Sequence, residues 1–175
     1  MPRYDAYNSE CLVFSFKDGL LARVAHDLKL QVERFSIEVD EETRQIKATF
    51  DPSSIQVVCA RVDGHDDPST LSKGDKKKIY DNVTKDVLKT RKHPEIRFDS
   101  TKVVERGDGF AVEGTLQLFG KSRSIQTSVR AEGDRWLTEV TIHQPDYGIK
   151  PFTAALGALK VKPDVQVRVS VPRES

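Results

Sequence analysis

Polar and apolar residues alternate with a period of two along most of this chain. Leu28, Leu30 and Val32 alternate with Lys29, Gln31 and Glu33, and Ile46, Ala48 and Phe50 alternate with Lys47 and Thr49. Successive side chains of an extended strand point to opposite faces, so the pattern predicts strands with one apolar and one wet face. Residues 11–16 form a short apolar and aromatic run, and residues 54–62 are rich in Val. Further strands are expected from Ile96 and Phe98, through Phe110, Val112, Leu116 and Leu118, and from Ile125 to Ala131. Trp136, Thr138, Val140 and Ile142 continue the pattern, and Val165, Val167, Val169 and Val171 close it. Eight or nine strands result. Between Val32 and Phe35 the alternation slips by one residue, which is what a β-bulge produces, and a bulge bends a sheet.

The connections have the chemistry of tight turns: Asp40-Glu41-Glu42-Thr43, Arg106-Gly107-Asp108-Gly109 and Glu132-Gly133-Asp134. Short turns between alternating strands predict a mainly β fold, an up-and-down barrel or a sandwich. One or two short helices are expected outside it. Residues 19–28 place Leu20, Leu21, Val24 and Leu28 on one face. Residues 72–90 open with Ser72 and Asp75, the spacing of a capping box, and Ile79, Val83 and Val87 then form one apolar stripe. Residues 151–159, with Phe152 and Leu156 among small residues, are expected to form a loop or short helix over one end of the sheet. No linker or internal repeat divides residues 1–175, so a single domain is expected.

Charge narrows the partners. Twenty-eight basic residues against 27 acidic ones leave a net charge of +1, which argues against nucleic acid as a partner. No apolar window approaches the ~18 residues of a membrane span, so stable membrane insertion is not expected. The N-terminus lacks the apolar run of a secretory leader, and the expected location is the cytoplasm, or the periplasm if a leader has been removed. Cys11 and Cys59 lie in strand-like runs and read as buried free thiols. An exposed edge strand leaves room for a homodimer, though no residue demands one.

The chemical motifs mostly resolve into structure. Gly120-Lys121-Ser122 invites comparison with a phosphate-binding loop, but five residues rather than four separate it from Gly114, they read as strand, and no helix follows. It is expected to be a hairpin turn. His26-Asp27 has the residue types of a general base and its orienting acid, but no nucleophile elbow accompanies it. A half-buried His at a junction, or a contact to a ligand headgroup, is the reading that follows. Asp63-Gly64-His65-Asp66-Asp67 lacks the spacing of a calcium loop, and the four His are too scattered for zinc, so neither a metal nor another cofactor is expected. Lys73, Lys76, Lys77 and Lys78 read as a solvated helix face.

The order of motifs resembles the YceI-like family of lipocalin-like barrels. The resemblance rests on Phe14-x-Phe16 followed by His26, Phe50-Asp51-Pro52, Asp86-Val87-Leu88, Pro94-x-Ile96-x-Phe98-x-Ser100, Gly114-Thr115-Leu116, Gly120-Lys121-Ser122 and Asp146-Tyr147-Gly148-Ile149. It implies an antiparallel lipocalin-like barrel around an apolar cavity, non-enzymatic binding or transport of a long amphiphile such as an isoprenoid, and no catalytic residues. The cavity candidates are Phe14, Phe16, His26, Phe35, Phe98, Leu116, Leu118, Phe152 and Leu156, with His26 near a headgroup and residues 151–159 as a lid. Two alternatives stand beside it: a filled barrel that uses the lysine-rich helix as a protein-interaction scaffold, and a small hydrolase or isomerase using His26.

Overall fold

The computed structural model describes residues 2–18, 26–154 and 159–173. The strands are β1 (Arg3–Asp5), β2 (Glu10–Ser15), β3 (Asp27–Val32), β4 (Phe35–Val39), β5 (Ile46–Phe50), β6 (Ile55–Val62), β7 (His65–Asp67), β8 (Ile96–Arg106), β9 (Gly109–Leu118), β10 (Lys121–Glu132), β11 (Arg135–His143), β12 (Thr153–Ala154), β13 (Leu159–Lys160) and β14 (Asp164–Pro172). Twelve of them form one sheet in the order β1-β4-β5-β8-β9-β10-β11-β14-β2-β3-β6-β7, and β12 pairs with β13 as a small ribbon. Every strand pairing is antiparallel.

Alternation explains how the sheet curls. Leu30 and Val32 of β3, Phe35 and Ile37 of β4, and Ala48 of β5 share one buried apolar cluster, although β3 and β4 lie near opposite ends of the strand order. Phe98 on β8 and Val167 on β14 pack against this cluster and also against a second one, built from Leu116, Leu118, Ile142, Tyr147 and Ile149. Side chains so far apart along the sheet meet only if it wraps around them. The result is a lipocalin-like barrel class, a sheet curled around an apolar inner face.

The strand count exceeds the eight or nine expected, for local reasons. The slip between Val32 and Phe35 is a corner that divides one long strand into β3 and β4. The facing strand is divided likewise by the short 3-10 turn Pro52–Ser54 between β5 and β6. Hydrogen bonds continue through the corner: Glu33 N donates to Ser54 O (3.3 Å), Asp51 N to Arg34 O (2.9 Å), and Arg34 N to Ser54 Oγ (2.9 Å). Burial opposes the charged form of Asp51, but hydrogen bonds from Ser53 and the Arg34 guanidinium outweigh it and hold the carboxyl below its usual range. Register shifts occur elsewhere, between Lys29 and Leu30 and between Ser100 and Lys102. The short edge strands β1 and β7 are too polar and brief to show a period.

Ser72 caps α1 (Lys73–Asp81) in a capping box with Asp75, and the helix continues as a π-helical segment, Asn82–Val87. Its stripe meets the barrel as the spacing predicts: Ile79, Tyr80 and Val83 reach the first cluster, Val87 and Leu88 the second. The Tyr80 hydroxyl donates to Ser53 O at 2.9 Å, tying the helix to the corner. Of the helix expected at 19–28, residues 19–25 lie outside the described residues, while Asp27 and Leu28 are strand and Leu28 is core. Among the described residues no helix is long and apolar enough to cross a membrane.

Candidate functional site

The inner face of the barrel is the candidate site. Phe35, Phe98, Leu116 and Leu118 all belong to its clusters, and the Phe35 ring stacks on Phe50 with centroids 6.0 Å apart. The residues opposite them were not singled out from the sequence: Val165, Val167, Val169 and Val171 of β14, with Val140 of β11. Their period-two run is plain in the sequence, but only the sheet order places it across the lumen from Phe98. These five side chains point inward yet remain half-exposed. Apolar surface faces the interior there without being fully covered by the protein.

Phe14 lies on the other side of the sheet. Val13 packs inward, so the next residue points outward. Its ring sits between the guanidinium groups of Arg61 and Arg168, at 4.9 and 5.1 Å, and is only 3% exposed. Long basic side chains cover an outward aromatic in this way by laying their stems and cations over it.

Phe16, Phe152 and His26 gather at one end of the barrel. Lys162 N donates to Phe16 O (2.8 Å), and Val161 N to Phe152 O (3.0 Å), so the chain after β13 holds both segments together. Both phenylalanines are half-buried. Leu156 lies outside the described residues, as does most of the expected lid; Thr153 and Ala154 pair with Lys160 and Leu159 as a ribbon. His26 is half-buried just before β3. Its neighbour Asp27 is engaged elsewhere, accepting Lys17 N at 2.8 Å.

Other motifs take structural roles. Phe119 and Gly120, both at positive φ (55° and 74°), make the β9–β10 turn, and Lys121 and Ser122 begin β10. The turn is held from below by His93, whose ring centroid is 4.3 Å from that of Phe119. Asp63 and Gly64 form a turn, while His65–Asp67 continue as edge strand β7. There Asp66 accepts Lys29 Nζ at 3.0 Å and Arg61 Nε at 3.1 Å, and these partners, Lys29 foremost, lower its pKa. Cys11 and Cys59 are free and buried, as expected. Burial, helped by Glu10, pushes the Cys11 thiol up to about 12, far from a reactive thiolate.

The wall itself is interrupted. A hollow of about 620 Å³ lies between β10 and β11, lined by Ile125, Gln126, Thr127, Ser128 and Arg130 on one side and Glu139, Val140 and Thr141 on the other. Ile125 and Val140 also pack against the second apolar cluster, so the hollow borders the inner face of the sheet.

A curled antiparallel sheet with an apolar interior and an interrupted wall defines a lipocalin-like barrel. The chain belongs to the YceI-like family, whose domain model matches residues 12–172. The structure is similar to the crystal structure of BcnA from Burkholderia cenocepacia, at 17% identity and a TM-score of 0.64, covering 95% of this chain and 97% of that one. It is also similar to a polyisoprenoid-binding domain from Saccharophagus degradans implicated in plant cell wall breakdown, at 15% identity and a TM-score of 0.59, covering 93% and 91%. A YceI protein from Campylobacter jejuni is similar at 13% identity and a TM-score of 0.55, covering 83% and 85%. No curated protein matches the chain in sequence.

Proposed function

We propose that this protein binds the apolar chain of a small amphiphile, lipid-like or isoprenoid, inside the barrel, and acts as a carrier rather than a catalyst. The observation that carries this reading is the half-exposed inner wall of Val140, Val165, Val167, Val169 and Val171 facing Phe98. A packed core covers such residues almost completely; here an alkyl or isoprenyl chain would complete the burial. Each buried CH₂ contributes ~0.8 kcal/mol, so eight carbons bring roughly 6 kcal/mol before the cost of immobilising the ligand. The named binding partner of the Saccharophagus degradans domain supports the same class of ligand.

The carrier reading also suits the polar groups. Asp27 accepts the Lys17 backbone N–H and burial holds the Cys11 thiol protonated, arrangements in keeping with a carrier. Titration with an environment-sensitive apolar dye is the test. The expected result is a blue-shifted, saturable signal with micromolar or tighter affinity, displaced by long-chain alcohols. A dye signal that neither saturates nor responds to competitors would count against the lumen as a binding site.

A further inference from the structure

The hollow in the wall has a form that suits passage. The ladder between β10 and β11 runs from Glu132–Arg135, beside the hairpin turn, only as far as Val129–Thr138. Beyond that point both strands continue, β10 paired to β9 and β11 paired to β14. Strands held on their outer edges but not to each other leave a slot. Ile125 and Val140 reach the inner cluster, while Gln126 and Thr141 occupy alternate positions that point outward. The slot is therefore lined by side chains from both faces of the sheet.

Its two ends are finished. At the fork, the Thr127 and Thr138 hydroxyls lie 2.7 Å apart and reach the Glu139 and Ser128 carbonyls at 3.2 and 3.0 Å. These side chains take carbonyls that a continued ladder would have used. Toward the far end, Arg123 Nε donates to Asp146 O at 2.7 Å, joining β10 to the 3-10 turn Gln144–Tyr147 that follows β11. The charges are spent locally: Glu139 accepts Arg168 Nε at 3.2 Å and Gln166 Nε2 at 3.1 Å, and Arg130 lies 3.6 Å from both Glu132 and Glu139. What the slot offers a ligand is the hydroxyl groups of Ser128 and Thr141 and the Gln126 amide, whose nitrogen also donates to Glu113 Oε1 at 3.2 Å.

We infer that the slot is a side entrance to the lumen, through which an amphiphile passes its tail and in which an uncharged, hydroxyl-bearing head remains. The inference rests on the lumen reading given above. A fixed cation would favour a phosphate head; the arginine that lines the slot, Arg130, is paired with carboxylates, and with the neutral donors beside it this favours an alcohol.

The test closes the slot. Gln126 and Thr141 are exposed and line it from opposite strands, and both native cysteines are buried. Gln126→Cys/Thr141→Cys is cross-linked with a short bismaleimide, and the same variant capped with a monomaleimide is the reference. Stopped-flow uptake of the apolar dye, which carries no head to seat in the slot, should be at least tenfold slower in the cross-linked form than in the capped reference. Uptake at an unchanged rate overturns the entrance and leaves the lumen reading intact. No uptake by either form overturns the lumen reading and the entrance with it. In competition, a long-chain alcohol should displace the dye at a concentration no higher than its monophosphate does; a monophosphate that competes tenfold better overturns the uncharged head.

Discussion

Gly114→Ala is expected to destabilise the fold by about 2–3 kcal/mol, the upper range for forcing a methyl group into a packed site. A Cβ at this position would stand 2.4 Å from Phe98 Cζ and 2.6 Å from the carbonyl oxygen of Asp99. The ring has some freedom to tilt, but the carbonyl belongs to the β8 backbone. Next to this contact the β8–β9 register shifts between Ser100 and Lys102, and Ser100 pairs with Gly114 itself. Relief would require parting two long strands at the middle of the barrel. Urea titration should show a lower midpoint with an unchanged slope. Gly107→Ala, at positive φ in an open turn, meets nothing within 4 Å and should cost less. Equal midpoints for Gly114→Ala and the parent protein would mean that β8 and β9 are not so close.

Val167→Asp should lower affinity for the apolar dye at least a hundredfold. Val167 packs against both inner clusters and is half-exposed, so the free protein tolerates a hydrated carboxylate there. A ligand chain would strip that water and leave the charge without a partner, a cost of several kcal/mol. Thr49→Asp places the same charge on the outer face, where Thr49 pairs with Arg97, and should bind like the parent. Circular dichroism establishes that both variants are folded. If Val167→Asp and Thr49→Asp bind alike, the dye sits somewhere other than the lumen.

Much of this architecture was legible in the chain because period-two alternation is a local signal. The β14 valines, the hairpin at Gly107, and the capping box at Ser72 and Asp75 each declare themselves within a few residues. The slip at Val32–Phe35 announced a bend, but whether it was a bulge or a corner depends on Ser54 and Asp51, about twenty residues away in sequence. Site residues were harder to read. An apolar run such as Cys11–Phe14 shows that a strand is buried, but not which face looks inward. Phe14 is outward because arginines from β6 and β14 cover it, a fact of pairing rather than of composition. The slot between β10 and β11 left no trace in the alternation, since both strands keep their pattern where they part. Thr127 and Thr138, which seal the fork, read as ordinary strand residues.

The central claim is that the barrel holds an amphiphile's chain. Its most direct test is to purify the protein from cells under mild conditions, extract it with organic solvent, and analyse the extract by mass spectrometry beside an identically handled Val167→Asp preparation. The account predicts a long-chain, hydroxyl-bearing lipid or isoprenoid recovered in near-stoichiometric amount from the parent protein and depleted at least tenfold from the variant. An extract without such a molecule, from a protein that also takes up no apolar dye, would contradict it.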